Sequence, residues 1–332
     1  MIVLPIKRLD YLKKSELILD TLAEKAARIQ NWVVFYSGGK DSSTLAAVIG
    51  RWSYGRAHSH IRVHVVYVDT RIEPPPMNTQ ALKFLKSLRD TYGVTTHHLT
   101  PNIEESFWVN LLGRGYPPSS RKFRWCTERL KLRPALRLLQ TLENPVSFVG
   151  SRLDESAHRS RRLKNTCSVT TGECGTKALT IRLSAGEMPY VAPLLHWKVE
   201  NVWQFLAQAH IEDGLAVSAL FDIYAGQDLR YGCWTCSLVR RDRSGEALLE
   251  QGHIVMADLL AYRTWLLSQA ALPENRFLRP NGVKGRLSLA FRRKALAKLR
   301  VLESRIGMNW LSINEYNKIL ELWDDPRYGE YR

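Results

Sequence analysis

Between the apolar run Trp32-Val33-Val34-Phe35-Tyr36 and the helical stretch starting at Thr44 lies Ser37-Gly38-Gly39-Lys40-Asp41-Ser42. A strand that ends in paired glycines and gives way to a helix aims unpaired backbone N–H groups and a positive helix terminus at one spot. The glycines allow close approach of an anion, and Ser37, Ser42 and Lys40 add donors and charge, so the segment is expected to cradle phosphate. It is not a Walker loop, because the required Gly lies too far back and Lys40 is followed by Asp41 where Ser or Thr is needed. The bland alternative is ordinary turn chemistry. A second chemistry-bearing group is Cys233-Trp234-Thr235-Cys236, whose two thiolates can converge on one metal. The chain has five cysteines, the others being Cys126, Cys167 and Cys174. An odd number in a long chain speaks against a disulfide framework.

The elements that must position these groups alternate. Residues 9–29 have the spacing of an amphipathic helix, residues 32–36 read as a buried strand, and a helix follows the glycine loop. RVHVVYVDT, THHLT and VSFVG read as further strands and YVAPLL as a last one, with helices between them. Strands alternating with helices predict an α/β fold with a doubly wound, mainly parallel sheet. Beyond Trp197 the strand signals fade and a helical C-terminal region is expected. The domains so drawn are 1–197, with the glycine loop, and 198–332, with the Cys-x-x-Cys pair. Residues 154–190, polar and rich in Gly and Thr, are the loosest stretch and read as a lid or loop.

With 332 residues, 45% of them hydrophobic and 24% charged, the chain has ordinary globular composition. No apolar run approaches the ~20 residues needed to span a bilayer, and the five-residue apolar start with its charges behind it is unlike a secretory signal. No membrane association and a cytoplasmic location are expected. The formal net charge of +16 points to a polyanionic partner. Basic residues gather at 121–137, with Arg121 and Lys122 at the start, at 158–164, with Arg161 and Arg162, at Arg240 and Arg241, and at 284–305. Together these could form a phosphate-tracking surface, with Trp125 and Trp234 near enough to stack on unpaired bases. Solvated helix faces and core tryptophans are the plainer readings.

Ser-Gly-Gly-Lys-Asp-Ser after a strand resembles the signature of the PP-loop ATP pyrophosphatases, which hold ATP and form AMP and pyrophosphate. Asp69, ending the second strand, falls where sulfonucleotide reductases carry a similar Asp-Thr pair near the nucleotide; a strand-end Asp capping its own turn is the alternative. Residues 107–134, including Arg124-Trp125-Cys126-Thr127, the segment from Gly150 with Arg152, Arg159, Arg161 and Arg162, and Gly232-Cys233-Trp234-Thr235-Cys236 resemble the phosphoadenylylsulfate-reductase superfamily. They are most similar to its DndC-type branch of DNA phosphorothioation, a modification used in phage defence. The reductases themselves carry a Glu-Cys-Gly-Leu-His segment, whereas this chain ends in Asp-Asp-Pro-Arg-Tyr-Gly-Glu-Tyr-Arg.

The resemblance implies an ATP pyrophosphatase that activates a DNA backbone phosphate for sulfur incorporation, with ATP and Mg²⁺ as cofactors. DNA, a cysteine desulfurase and other subunits of a modification complex are the implied partners. Lys40, Asp41, Arg152 and Arg159 are then the catalytic candidates, with Ser37, Gly38, Gly39, Ser42 and Asp69 also on ATP. Arg121, Lys122, Arg161, Arg162, Arg240 and Arg241 are the candidates for DNA. Cys126 occupies a position like that of a cluster ligand, so Cys126, Cys233 and Cys236 could hold an iron–sulfur cluster, with Cys167 or Cys174 as a fourth ligand. Zinc, or no metal, stays open. RNA thiolation is the rival enzymatic reading, and a nucleotide-switched, non-catalytic DNA-binding assembly subunit is the rival without catalysis.

Overall fold

The computed structural model describes residues 10–25, 29–54, 60–155, 179–183, 186–227, 229–278 and 283–329. Contacts divide the chain into two compact units that interleave along the sequence. The first comprises Met1–Tyr67, Thr79–His98 and Leu138–Phe221, the second Val68–Asn78, Leu99–Arg137 and Asp222–Arg332. The sequential boundary drawn at 197/198 does not follow these contacts. Hydrophobic periodicity marks an element but not the surface that covers it, so residues 198–221 fall in the first unit and residues 99–137 in the second.

The first unit is built on a six-stranded sheet in the order β3-β2-β1-β4-β6-β5. Its strands are β1 (Asn31–Tyr36), β2 (Arg62–Val68), β3 (Thr95–Leu99), β4 (Pro145–Phe148), β5 (Leu179–Leu183) and β6 (Gly186–Val191). β1 pairs in parallel with both β2 and β4, and β4 pairs in parallel with β6. This is the α/β, mainly parallel architecture expected from the alternation of elements. β5, which falls within the stretch read as a loop, runs antiparallel to β6 at the sheet edge. Helices α1 (Asp10–Lys25), α2 (Lys40–Tyr54), α3 (Pro75–Tyr92), α4 (Arg133–Leu139), α5 (Val199–Asp213) and α6 (Ser218–Tyr224) accompany the strands or follow them.

β1 is nearly continuously buried, as a central parallel strand covered on both faces must be. Its Trp32 lies flat on Trp52 of α2, with ring centroids 4.8 Å apart and planes 7° apart, and packs against Phe148 of β4 at 5.0 Å. Such pairs contribute about 0.5–1.5 kcal/mol each beyond area burial. They tie both flanks of the glycine loop, the strand before it and the helix after it, to β4. On α2, Arg51 donates from Nε to Asp213 of α5 at 2.9 Å, and the Tyr92 hydroxyl of α3 donates to the same carboxylate at 2.5 Å.

The second unit is mostly helical, with α7 (Arg243–Glu250), α8 (Val255–Ala271), α9 (Leu289–Ile306) and α10 (Ile313–Asp324). It also contains a hairpin that the fading strand signals did not reveal, β7 (Arg276–Leu278) against β8 (Lys284–Leu287). Two wide turns, at Val109–Gly113 and Thr127–Leu132, wind with one residue more per turn than an α-helix. The carbonyls that such a turn leaves over need partners. Buried Arg292 donates to the Leu112 and Gly113 carbonyls, at 3.4 and 2.5 Å, and the Trp323 indole N–H to Leu112 at 2.8 Å. Among the described residues no helix is long and apolar enough to cross a membrane.

At the opposite end of the central strands from the glycine loop, Asn31, His64 and His97 form a buried chain. Asn31 donates its amide to the Glu143 carbonyl at 2.7 Å, which leaves its Oδ1 as an acceptor 3.1 Å from His64 Nε2. His64 Nε2 must then carry the hydrogen, so Nδ1 accepts from His97 Nε2, 2.9 Å away. Burial lowers both histidines below their ordinary range, and for His64 the neighbouring His97 and Arg62 lower it further. Folding therefore favours the neutral forms: this contribution is intact above the unfolded value near 6.5 and is lost as pH falls below it. We expect stability to fall as pH is lowered from 6.5 to 5.5. Urea unfolding at both pH values checks this; a His64→Gln variant that loses as much stability as the parent would contradict it.

Candidate nucleotide and cysteine sites

In the sheet order, β1 lies between β2 and β4, and the chain leaves β1 toward one neighbour and returns later to the other. The loops after β1 and β4 thus diverge at a topological switch point, where open α/β sheets bind ligands. The loop after β1 is Ser37-Gly38-Gly39, and that after β4 runs through Gly150 to Arg152. Gly38 has φ +82°, a conformation that suits glycine. Ser42 ties the turn shut: its hydroxyl donates to the Gly39 carbonyl at 2.9 Å and accepts the Ser37 N–H at 3.1 Å. The Ser37 backbone donor is therefore held inside the loop by Ser42. Ser43, fully buried, has a hydroxyl without a hydrogen-bond partner among the described residues.

Lys40 opens α2, is 3% exposed, and places Nζ 3.4 Å from Asp41 Oδ2. Arg152, 1% exposed, donates from Nε to Asp41 Oδ1 at 2.6 Å and from a terminal nitrogen to the Trp197 carbonyl at 3.3 Å. The structure thus gathers Lys40, Asp41 and Arg152 with the serines and glycines of the loop. Arg152, expected on phosphate, has its buried guanidinium engaged by Asp41 and the Trp197 carbonyl. Gly150 is required by this approach, since a Cβ there would stand 2.9 Å from the Asp41 carbonyl oxygen. Arg159, Arg161, Arg162, Cys167 and Cys174 lie outside the described residues.

Asp69 belongs to the second unit, where its Oδ1 accepts the Arg71 N–H at 2.7 Å and so caps the turn after β2. In the same unit Cys126, Cys233 and Cys236 line one small recess of about 50 Å³. The Cys-x-x-Cys turn closes with the Cys236 N–H on the Cys233 carbonyl at 3.0 Å, and the Trp234 N–H anchors it to Ile72 at 3.0 Å. Buried Arg263 uses two guanidinium nitrogens on the Cys236 carbonyl, at 3.0 and 2.6 Å. Cys126 precedes the wide turn at 127–132, which carries Lys131 into electrostatic reach of all three sulfurs and of Glu73.

Burial pushes the Cys233 thiol up to about 12, against the pull of Lys131, and burial also raises the Glu73 carboxyl. Cys233 is thus a neutral thiol until a metal takes the place of its proton. Lys131 in turn is raised above the ordinary lysine range by the charge Cys233 carries once deprotonated, with Glu73, Cys126 and Cys236 adding to it, so it is the countercharge for thiolate sulfur. Sequence reasoning missed Lys131 and Glu73 as charged neighbours of these cysteines. Lys131 was hidden in a basic run, and Glu73 carries only the signal of following the strand-end Asp69-Thr70, whose Thr70 hydroxyl bonds it at 2.6 Å.

Among the described residues no three Cys, His, Asp or Glu side chains are drawn together closely enough to hold a single metal ion. That arrangement does not match a tetrahedral zinc site.

Of the basic candidates, Arg121, Lys122, Arg240 and Arg241 are all exposed, and the segments carrying them meet where Ser237 donates to the Ser119 carbonyl at 2.7 Å. Arg241 is paired with Glu246, and Arg133 and Arg137 with Glu105. Trp125 and Trp234 are 4% and 0% exposed and belong to the core, so neither is a base platform. In the 284–305 run, Arg292 is buried, Arg300 pairs with Glu303 and Arg305 with Asp258, so much of that run supports the fold.

A strand-loop-helix turn at the switch point of a mainly parallel sheet, joined in sequence to a cysteine-bearing region, defines an α/β protein with a candidate phosphate site. The chain belongs to the phosphoadenosine phosphosulfate reductase domain family, which matches residues 31–238. It is similar to two uncharacterized proteins of Methanocaldococcus jannaschii. MJ0066 is 25% identical over 206 residues, 61% of this chain and 35% of that protein. MJ0973 is 24% identical over 242 residues, 68% and 49%. The chain thus spans between a third and a half of the length of these relatives. Among solved structures, the phosphoadenylyl-sulfate reductase of Candida auris is 16% identical with a TM-score of 0.43, covering 72% of this chain and 99% of that one. The U34-tRNA thiolase NcsA of Methanococcus maripaludis, solved with its [4Fe-4S] cluster, is 14% identical with a TM-score of 0.41, covering 86% and 88%.

Gly150→Ala should destabilise the first unit by about 1–3 kcal/mol, the usual cost of forcing a methyl into filled space. It should also weaken binding of inorganic pyrophosphate. Unchanged thermal unfolding together with unchanged pyrophosphate affinity would contradict the close approach.

Proposed function

We propose that this protein is an AMP-forming ATP pyrophosphatase that activates a DNA backbone phosphate for replacement of a non-bridging oxygen by sulfur. The observation that carries the reading is the glycine loop itself: a switch-point cradle in which Lys40 opens the helix and Asp41 is fixed by Arg152. Such a loop offers backbone N–H groups and a helix N-terminus to the β- and γ-phosphates, with Lys40 as the adjoining cation. Asp41 is the carboxylate available for Mg²⁺, and Asp69 is the candidate for the nucleoside end.

In the reaction, a non-bridging oxygen of the DNA phosphate attacks the α-phosphorus of ATP and pyrophosphate leaves. The DNA phosphate then carries AMP as a mixed anhydride, so that its oxygen, otherwise a poor leaving group, departs as AMP when sulfide attacks. Lys40 offsets the charge that develops on the departing pyrophosphate. Cys126, Cys233 and Cys236 are the residues that would hold an iron–sulfur cluster, with Lys131 beside them as a countercharge. When bound, such a cluster would supply a sulfide-carrying or electron-transferring centre. A cysteine desulfurase is the proposed sulfur source: it delivers sulfane sulfur as a persulfide, and a thiol reductant supplies the two electrons that release it as sulfide, itself becoming a disulfide. Arg121, Lys122, Arg240 and Arg241 form the proposed contact to the DNA backbone, together with Arg159, Arg161 and Arg162. Cytoplasmic action within a larger modification complex follows from this reading.

The test uses anaerobically purified protein with ATP, Mg²⁺, DNA, cysteine, a cysteine desulfurase and a thiol reductant. Pyrophosphate and AMP should appear in equal amounts, together with nuclease-resistant phosphorothioate linkages. Lys40→Ala should slow pyrophosphate release by about a hundredfold, the loss of one transition-state charge contact of ~3 kcal/mol. Pyrophosphate release stimulated by tRNA and not by DNA would favour RNA thiolation. Near-normal release by the Lys40 variant would remove the assignment.

A further inference from the structure

Apart from the glycine loop and the cysteine recess, the second unit holds a cavity of about 260 Å³, close to the lower end of the ~300–1,000 Å³ range of small-molecule sites. Three chain segments build it: the turn after β2, the loop after β3, and the first turn of α10. The lining combines apolar residues, including Phe107 and Ile103, with Arg71 and Asn314.

Each of these groups is set up for a ligand in a way the fold does not explain. Arg71 has φ +61°, a left-handed conformation that costs a side chain about 1–2 kcal/mol and that glycine adopts without strain. The Asp69 carboxylate holds it there through the backbone N–H. The side chain is exposed, and no described carboxylate pairs with it. Phe107 is 8% exposed and lies nearly parallel to Trp125, at 5.5 Å and 23°, so its ring is a rigid wall. At the start of α10, Ser312 and Glu315 cap each other: the Ser312 N–H and hydroxyl donate to Glu315 Oε2 at 2.9 and 2.7 Å, and the Glu315 N–H donates to the Ser312 hydroxyl at 3.2 Å. Asn314 therefore has no capping role. Its exposed amide, both donor and acceptor, makes no hydrogen bond among the described residues.

A rigid ring wall, a free amide and a free guanidinium around one cavity match a nucleotide: a flat base with a hydrogen-bonding edge, and a phosphate. We propose that this cavity binds a single nucleotide, its base against Phe107, its edge read by Asn314 and its phosphate on Arg71. Extruded bases are held in this manner, by apolar or aromatic walls and edge hydrogen bonds. The favoured source is an unstacked nucleotide of a DNA strand, which rests on the proposed action on DNA; a free mononucleotide has the same chemistry.

The test is photo-crosslinking of the full chain with a single-stranded oligodeoxynucleotide carrying one 5-iodo-2′-deoxyuridine, and separately with 5-iodo-2′-deoxyuridine monophosphate. Peptide mapping should place the crosslink on the segment containing Phe107. Asn314→Ala and Arg71→Gly should each reduce it about tenfold, the effect of ~1.4 kcal/mol. Arg71→Gly relieves the backbone strain, so a loss there is not a loss of folding. Crosslinking by the oligonucleotide alone identifies the strand as the source, and equal crosslinking by the monophosphate identifies a free nucleotide. Crosslinks confined to the glycine loop or the basic segments, or yields unchanged in both variants, would overturn the proposal. Pyrophosphate release from ATP, measured in the same preparations, separates the two readings: crosslinking at Phe107 without release removes only the pyrophosphatase, and release without crosslinking removes only the nucleotide cavity.

Discussion

A guanidinium that is 1% exposed must be paired where it lies, and the pairing of Arg152 with Asp41 is the constraint on which the phosphate cradle depends. A buried charge left without its partner costs about 3–5 kcal/mol, so the loop after β4 and the start of α2 are locked to each other. Gly150 removes the side chain that would hold them apart, and the Trp32, Trp52 and Phe148 rings fix the strands and helix from which both loops emerge. The loop is therefore held in one shape by its own contacts, and, on the function proposed, that fixed shape is the condition under which dipoles stabilise developing charge.

The cysteine recess uses the opposite strategy. There the polar groups are few, burial holds the Cys233 thiol protonated, and Lys131 supplies a cation where deprotonated sulfur would accumulate negative charge. Arg263 and the Ile72 carbonyl hold the backbone of the Cys-x-x-Cys turn, so the sulfurs are positioned by main-chain contacts and do not depend on one another. A ligand that brings positive charge would take the place of the Cys233 proton, and Lys131 would then face a thiolate.

The glycine loop was legible from residues 32–44 alone, because strand, paired glycine, lysine and helix are a local pattern whose mechanism demands that context. The parallel sheet was legible for the same reason, through the period of its apolar residues. The antiparallel β5 and the β7–β8 hairpin were not, since β5 is a short edge strand in a polar stretch and β7 has only three residues. Nor does sequence show what a charge faces. Arg152 reads like any phosphate-binding arginine until its burial is known, and Lys131 like one more cation in a basic run, whereas the plainer reading of Trp125 and Trp234 as core residues holds. The interleaving of the two units is likewise set by which apolar faces meet, which single-segment patterns do not encode.

The central claim, that Arg152 acts through Asp41 to organise the loop, is tested most directly by a double-mutant cycle on pyrophosphate affinity with Asp41→Asn, Arg152→Met and the pair. Groups in direct contact couple by about 0.5–3 kcal/mol. If Arg152 braces the loop, the double variant binds pyrophosphate no worse than the Asp41 variant alone, because the brace has nothing left to hold. If the two single effects simply add, Arg152 acts on the ligand independently of Asp41, and its role as a brace of the loop is contradicted.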